Sequence, residues 1–186
     1  MAPGATEPTE QEQQTPAAVA PPKDLPKGVV LGPDGKPCRT CSNVSSLLAL
    51  SKSTSTKSSK PVPATTTTTY PIDCPPDVEQ LGRSSWTLLH SITGAYPTNP
   101  SPTLQAETRS FVSTFAKLYP CWHCAGDFQE WMRRDGNAPR VSSREEFGRW
   151  MCEAHNAVNV KLGKQVFDCG RWEERWRTGW KDGRCG

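Results

Sequence analysis

The chain has 186 residues, 34% hydrophobic and 22% charged, with a formal net charge of +3 and eight cysteines. No apolar run approaches the ~20 residues of a membrane span, and the small charge comes from basic residues alternating with acidic ones, so neither membrane insertion nor a nucleic-acid partner is expected. The opening Met1-Ala2-Pro3-Gly4-Ala5-Thr6-Glu7 has no basic-then-apolar order and no Arg-rich amphipathic pattern, which argues against secretory and matrix-targeting signals.

All seven Trp, all five Phe and all three His lie beyond residue 70, whereas eleven of the eighteen Pro fall within residues 1–71. The first part lacks the apolar surface that would offset the entropy of ordering. Residues 1–72 are therefore expected to form a disordered N-terminal arm, and residues 73–186 one compact domain. Within the arm, Cys38-Arg39-Thr40-Cys41 is followed by Val44, Leu47, Leu48 and Leu50, enough for one short amphipathic turn or docking patch over 38–50. Residues 51–69 are Ser/Thr/Lys low complexity and read as a linker.

The domain reads as helical throughout. Asp77 is a helix cap with Gln80 at the capping-box position, and Val78, Leu81, Ser85, Leu88/Leu89 and Ile92 follow at helical spacing up to Gly94 and Pro97. Ser101-Pro102 opens a second helix with Leu104, Phe111, Phe115 and Leu118 on its apolar face, stopped by Pro120. A third runs from about Cys121 to Arg134 with Ala125, Phe128 and Met132 in register, ended by Gly136 and Pro139. Ser142 or Ser143 caps a fourth, whose buried stripe is Phe147, Trp150/Met151, Ala154, Val158 and Leu162, ended by Gly163. A short fifth helix is expected over Arg171–Thr178. The fold class is all-α, a four-helix bundle plus a short fifth helix.

The two Cys-x-x-Cys pairs carry the chemistry. Such a pair either cycles between dithiol and disulfide or holds half of a zinc site. Zinc ribbons place their pairs about 15–20 residues apart, whereas the gap here is far wider and crosses the linker, which favours redox chemistry. Cys121 and Cys124 begin the third helix, where free N–H groups and the helix dipole stabilise a thiolate. Cys152, His155, Asn156 and Asn159 form a polar row on the fourth helix, suited to the edges of a planar heterocycle. Arg83, Trp86 and His90 form a matching row on the first, suited to phosphate, ring and ribose. Thiols react slowly with oxygen unaided, and flavin is the common intermediary. A Cys152–Cys169 disulfide would clip the fifth helix to the fourth, while Cys74 and Cys185 could pair within the chain or across a two-fold axis.

Six ordered segments carry a specific resemblance. They are Asp73-Cys74-Pro75-Pro76-Asp77, Leu81-Gly82-Arg83-x-x-Trp86-x-Leu88-Leu89-His90, Tyr119-Pro120-Cys121-x-x-Cys124, Cys152-x-x-His155-Asn156-x-Val158-Asn159, Leu162-Gly163-Lys164 through Phe167-Asp168-Cys169, and Arg175-Trp176-x-x-Gly179-Trp180. Together they resemble the Erv/ALR family of FAD-linked sulfhydryl oxidases over residues 73–186, and Cys38-Arg39-x-Cys41 matches the shuttle pair of its long mitochondrial, fungal-like form.

The resemblance implies FAD held in a homodimer. Gly82, Arg83, Trp86, His90, Tyr96, Cys152, His155, Asn156, Val158, Asn159, Lys161, Lys164, Arg175 and Trp176 would line the cofactor site, with no metal. It implies that Cys124 is the flavin-proximal cysteine, Cys121 the interchange cysteine, Cys38/Cys41 the shuttle disulfide, Cys152–Cys169 a structural disulfide, and Cys74 and Cys185 the inter-subunit links. The expected activity is disulfide formation in partner proteins of the mitochondrial intermembrane space. A disulfide carrier of the import pathway would be the donor and oxygen or cytochrome c the acceptor. The rival readings are a flavin-free disulfide carrier and a zinc-binding adaptor.

Overall fold

A computed structural model describes residues 25–54 and 74–185. The expected tail up to residue 24 and residues 55–73, which hold most of the expected linker, lie outside the described residues. Five α-helices follow in chain order: α1 (Val44–Thr54), α2 (Val78–Ala95), α3 (Pro102–Leu118), α4 (Trp122–Arg133) and α5 (Arg144–Lys161). Among the described residues no strand forms beyond a single bridge between Leu31 and Pro37, so the all-α expectation is met.

Each core helix starts on a side chain that satisfies an N–H its own ladder leaves open. Asp77 accepts from Gln80 N at 2.8 Å, and Ser101, followed by Pro102, accepts from Leu104 N at 3.2 Å. The Cys121 sulfur accepts from Cys124 N at 3.2 Å, and Ser143 from Glu146 N at 3.2 Å. Ser143 is thus the cap of α5, while Ser142 bonds the Glu146 carboxylate. Gly163, at φ +66°, turns the chain after α5 in a conformation that L side chains avoid.

α2 packs along α5, and α3 along α4. The core between them holds Leu89, Tyr96, Val112, Val141, Phe147, Trp150 and Met151. Each large apolar side chain buried there contributes roughly 1.5–3 kcal/mol. The helical spacing overran this core at four of the expected positions. Leu118 is 75% exposed and Leu162 is 60% exposed, because Leu118 is the last residue of α3 and Leu162 caps the end of α5, each beyond the packed layer. Leu88 and Phe111 are also exposed on α2 and α3.

The expected fifth helix is a 3-10 turn at Cys169–Arg171 followed by a wide π turn at Glu174–Thr178. Its start is fixed by the Cys152–Cys169 disulfide and by Asp168, whose side chain accepts from Gly170 N at 2.9 Å. Trp172 is then wedged, fully buried, against Gly148 of α5. These constraints leave no regular helix.

Residues 25–54 of the arm are described, and residues 39–44 lie against the core. The patch expected over 38–50 is a helix, α1, that runs four residues into the expected linker. Before it, a tight turn closes with Gly32 N to Lys36 O at 2.7 Å, and Cys38 N returns to Val30 O at 2.8 Å. A 3-10 turn then spans Arg39–Cys41. Buried Ser42 and Ser46 hold this knob together through Val30 N and Lys27 O, at 2.9 and 2.8 Å. Polar contacts of this kind need no apolar periodicity.

Candidate active site

Both Cys-x-x-Cys pairs are disulfides, with Cα separations of 5.2 Å for Cys38–Cys41 and 5.3 Å for Cys121–Cys124. Cys121 is fully buried and is the N-cap of α4, while Cys124 lies half-buried in its first turn. A thiolate released at either sulfur meets the positive end of the helix dipole. A zinc site would need the four sulfurs as thiolates. Among the described residues no group of three or more His, Cys, Asp or Glu is placed to hold a metal.

The fold brings the two pairs to one end of the domain. The Thr40 hydroxyl donates to the Pro120 carbonyl at 3.1 Å, and the Trp122 indole N–H donates to the Leu31 carbonyl at 3.2 Å. Arg39 Nε donates to the Pro75 carbonyl at 2.8 Å. Further along, Val78 N donates to Ser42 O at 3.3 Å, and Val44 N to Asp77 Oδ2 at 3.1 Å. Asp77 therefore caps α2 with one oxygen and receives the first residue of α1 with the other.

A four-ring cluster forms where α2, α5 and the π turn meet. Trp86 and His155 stack at 4.1 Å between ring centres and 3° between planes, and His90 and Trp176 stack at 4.3 Å and 3°. His90 Nε2 and His155 Nδ1 lie 3.0 Å apart and join the two stacks. Burial, then the neighbouring His155 and Arg175, push the His90 pKa down to about 3. Burial, then Lys164 and Arg175, bring His155 to about 4. Both rings are neutral at pH 7, so the cluster holds no buried charge. His90 Nδ1 is buried with no hydrogen-bond partner. Arg175 lies over the Trp176 ring at 4.4 Å, and Arg83 is exposed on α2. A planar, stacked, neutral surface with one orphaned ring nitrogen and cations beside it fits a heteroaromatic nucleotide such as the flavin dinucleotide that the resemblance implies. A Cβ built at Gly82 meets no atom within 4 Å.

The remaining expected site residues are placed differently. Asn156 holds the loop after α5, donating to Phe167 O at 2.8 Å and accepting from Phe167 N at 2.9 Å. Asn159 donates to Asn156 Oδ1 at 3.3 Å. The polar row on α5 thus includes an internal clasp, backed by the Cys152–Cys169 disulfide. Val158 is half-buried beside it, and Lys164 is exposed. Tyr96 sits in the core, its hydroxyl donating to Val141 O at 3.0 Å, and not in the four-ring cluster. Lys161 pairs with Asp127 of α4, which also lies 3.6 Å from His123 inside the Cys-x-x-Cys motif. Cys74 and Cys185 are both exposed thiols. Sequence reasoning missed Trp122, Asp127 and the second role of Asp77. Only Trp122, a large aromatic inside a redox motif, carried a visible signal.

Residues 83–177 match the family model described as the Erv1/Alr family. The mitochondrial FAD-linked sulfhydryl oxidase ERV1 of Saccharomyces cerevisiae is 45% identical over 173 residues, covering 83% of this chain and 89% of that protein. The mitochondrial FAD-linked sulfhydryl oxidase erv1 of Schizosaccharomyces pombe is 39% identical over 169 residues, covering 82% and 93%. Among solved structures, the yeast Erv1 core superposes with a TM-score of 0.57 at 55% identity, covering 62% of this chain and 96% of that one. The FAD-binding domain of Erv1 from Saccharomyces cerevisiae gives 0.54 at 56% identity, covering 56% and 98%.

Proposed function

The chain belongs to the Erv1/Alr family, and on that premise we propose how this FAD-linked sulfhydryl oxidase moves electrons: from a partner protein's dithiol to Cys38/Cys41, and from there to Cys121/Cys124. The observation that supports this order is the seating of the 39–41 turn on the residue before Cys121, through the Thr40–Pro120 hydrogen bond at 3.1 Å. Exchange needs a thiolate attacker and a stabilised leaving thiolate. The N-terminus of α4 offers the second at Cys124, the cysteine assigned here to the flavin side.

FAD, when bound, would supply an acceptor for the electron pair that reaches Cys124, with oxygen or cytochrome c as the terminal acceptor. Trp86, His90, His155 and Trp176 would hold its rings, and Arg83, Lys164 and Arg175 would supply positive charge for its phosphates. The neutral state of both histidines leaves the orphaned His90 nitrogen available to a ligand hydrogen bond. Gly82 leaves room beside α2, while Cys152, Val158 and Asn159 line the α5 side. Asn156, Tyr96 and Lys161 act through the Phe167 loop, the core and Asp127.

The protein is mitochondrial, and the compartment assigned to it is the intermembrane space, where the disulfide carrier of the import pathway is its donor. Three disulfides in so small a chain suit an oxidising compartment. Among the described residues no helix is long and apolar enough to cross a membrane. The working unit is a homodimer. What supports it is the pair of exposed apolar residues Phe111 and Leu118, which line a cavity of about 570 Å³ together with Phe115 and Tyr119. Exposed Cys74 and Cys185 are available to link subunits.

The absorption spectrum tests the reading. The purified protein should be yellow, with a flavin band, and should take up oxygen on addition of a dithiol. A colourless protein, or one that retains zinc, would overturn it.

A further inference from the structure

The chain has three histidines, and the flavin reading uses two of them, His90 and His155. The third, His123, stands between Cys121 and Cys124 inside the redox motif. Two contacts fix its ring. It meets the Trp122 ring edge-on, at 5.7 Å between centres and 72° between planes. Its Nε2 lies 3.6 Å from Asp127 Oδ2, one turn further along α4. Trp122 is held in turn by its indole N–H on the Leu31 carbonyl.

Asp127 follows His123 by four positions and Cys124 by three, so on a helix it is a neighbour of both. A carboxylate there, taken alone, opposes a negative sulfur. Lys161, reaching across from α5, pairs with the same Oδ2. The fixed charges of Asp127 and Lys161 cancel, and the proton on His123 then decides the net charge of the cluster. The other charged groups around α4 are directed elsewhere or lie further along it. Arg39, in the 3-10 turn packed against its start, donates through Nε to Pro75 O. Glu130 pairs with Arg133, and Lys117 lies in the last turn of α3. Imidazole is the side chain that ordinarily changes charge between pH 5 and 8. The His123 side chain is 49% exposed, so it can exchange that proton with water, unlike the buried His90 and His155.

We propose that His123 is a positioning residue for the Cys121/Cys124 couple: its imidazolium, held on Asp127, stabilises a thiolate at Cys124 and makes the reactivity of the pair respond to pH. This rests on the oxidase reading above. A donor dithiol gives up two electrons and two protons and closes its own disulfide. The Cys121–Cys124 bond breaks. Cys121 takes one proton as a thiol, and His123 holds the other while Cys124 carries the negative charge. The cation adds to the pull of the α4 N-terminus on the same sulfur.

Alkylation of Cys124 as a function of pH tests this. The full-length, flavin-loaded protein is reduced anaerobically, freed of reductant and treated with iodoacetamide from mildly acidic to mildly alkaline pH. Labelling of the Cys124 peptide is read by mass spectrometry. The wild-type rate should rise in two steps, first as the thiolate–imidazolium pair forms and then as His123 loses its proton. His123→Gln should give one step, with its midpoint about one pH unit above the first wild-type step, tenfold in thiolate population. His123→Lys keeps a cation without the titration, and should give one step near the first wild-type midpoint. A His123→Gln midpoint at the wild-type position, or a His123→Lys midpoint as high as that of His123→Gln, would overturn the proposal. A ring that only packs on Trp122 would give the first of these results. The labelling involves neither turnover nor oxygen. Unmoved midpoints in a yellow protein would therefore sink this inference alone, and a colourless protein the oxidase reading alone.

Discussion

His90 and His155 share one hydrogen bond, Nε2 to Nδ1 at 3.0 Å, across 65 residues of sequence. Each ring is also stacked on a tryptophan, Trp176 and Trp86 respectively. Four rings from three elements thereby form one neutral surface, and its neutrality is a property of the fold that pH can probe.

The folded chain holds His90 down to about 3 and His155 to about 4, whereas both titrate near 6.5 when unfolded. The stability this contributes is full above about pH 6.5 and is lost as pH falls towards 3–4, because over that range only the unfolded chain takes up the protons. At pH 5 the apoprotein should be less stable than at pH 7 by on the order of 2 kcal/mol from His90 alone. His90→Gln should flatten this slope in thermal unfolding followed by circular dichroism. Identical pH slopes in the two proteins would contradict the neutral pair.

Gly148 lies mid-helix in α5, where alanine normally stabilises by up to about 1 kcal/mol. Here a Cβ would fall 2.5 Å from three carbons of the buried Trp172 ring. Gly148→Ala should therefore destabilise by about 1–3 kcal/mol, read from urea midpoints. A stabilised variant would show that Trp172 yields at no cost.

Asp77 accepts Gln80 N with one carboxylate oxygen and Val44 N with the other. Asparagine has a single carbonyl oxygen and caps helices as well as aspartate does. Asp77→Asn should keep global stability within a few tenths of a kcal/mol while amide exchange quickens over residues 39–50. Asp77→Ala loses both bonds and should cost about 1 kcal/mol. Unchanged exchange in Asp77→Asn would mean that the carboxylate does not anchor the arm.

The Cys152–Cys169 disulfide closes a loop with a sequence separation of 17. Replacing both cysteines by serine should cost about 3 kcal/mol. The Asn156 clasp on Phe167 remains, so the variant should still fold at 25 °C with a lowered denaturation midpoint. An unshifted midpoint would assign the loop's stability to Asn156.

Much of the bundle and three of the four rings of the cluster are legible in the sequence. Proline, glycine and capping residues mark the ends of α2 to α5, and recurrence at three and four residues identifies the faces of Trp86, His90 and His155. The docked arm is not legible, because its order comes from main-chain groups of Leu31, Ser42, Pro75 and Pro120, which carry no side-chain signature. Leu118 and Leu162 mislead because periodicity says which face is apolar but not where the packed layer ends. Asn156 looks like a ligand-reading amide. Its partner is the backbone of Phe167, which only the path of the loop brings near.

The relay itself is tested most directly by the flavin absorbance after anaerobic addition of dithiothreitol to wild-type protein and to Cys124→Ser. The wild-type band should bleach as electrons pass through Cys121/Cys124, while the Cys124→Ser band should persist, its reduction slowed at least a hundredfold, by about 2.7 kcal/mol or more in barrier. Bleaching of Cys124→Ser at the wild-type rate would contradict the account.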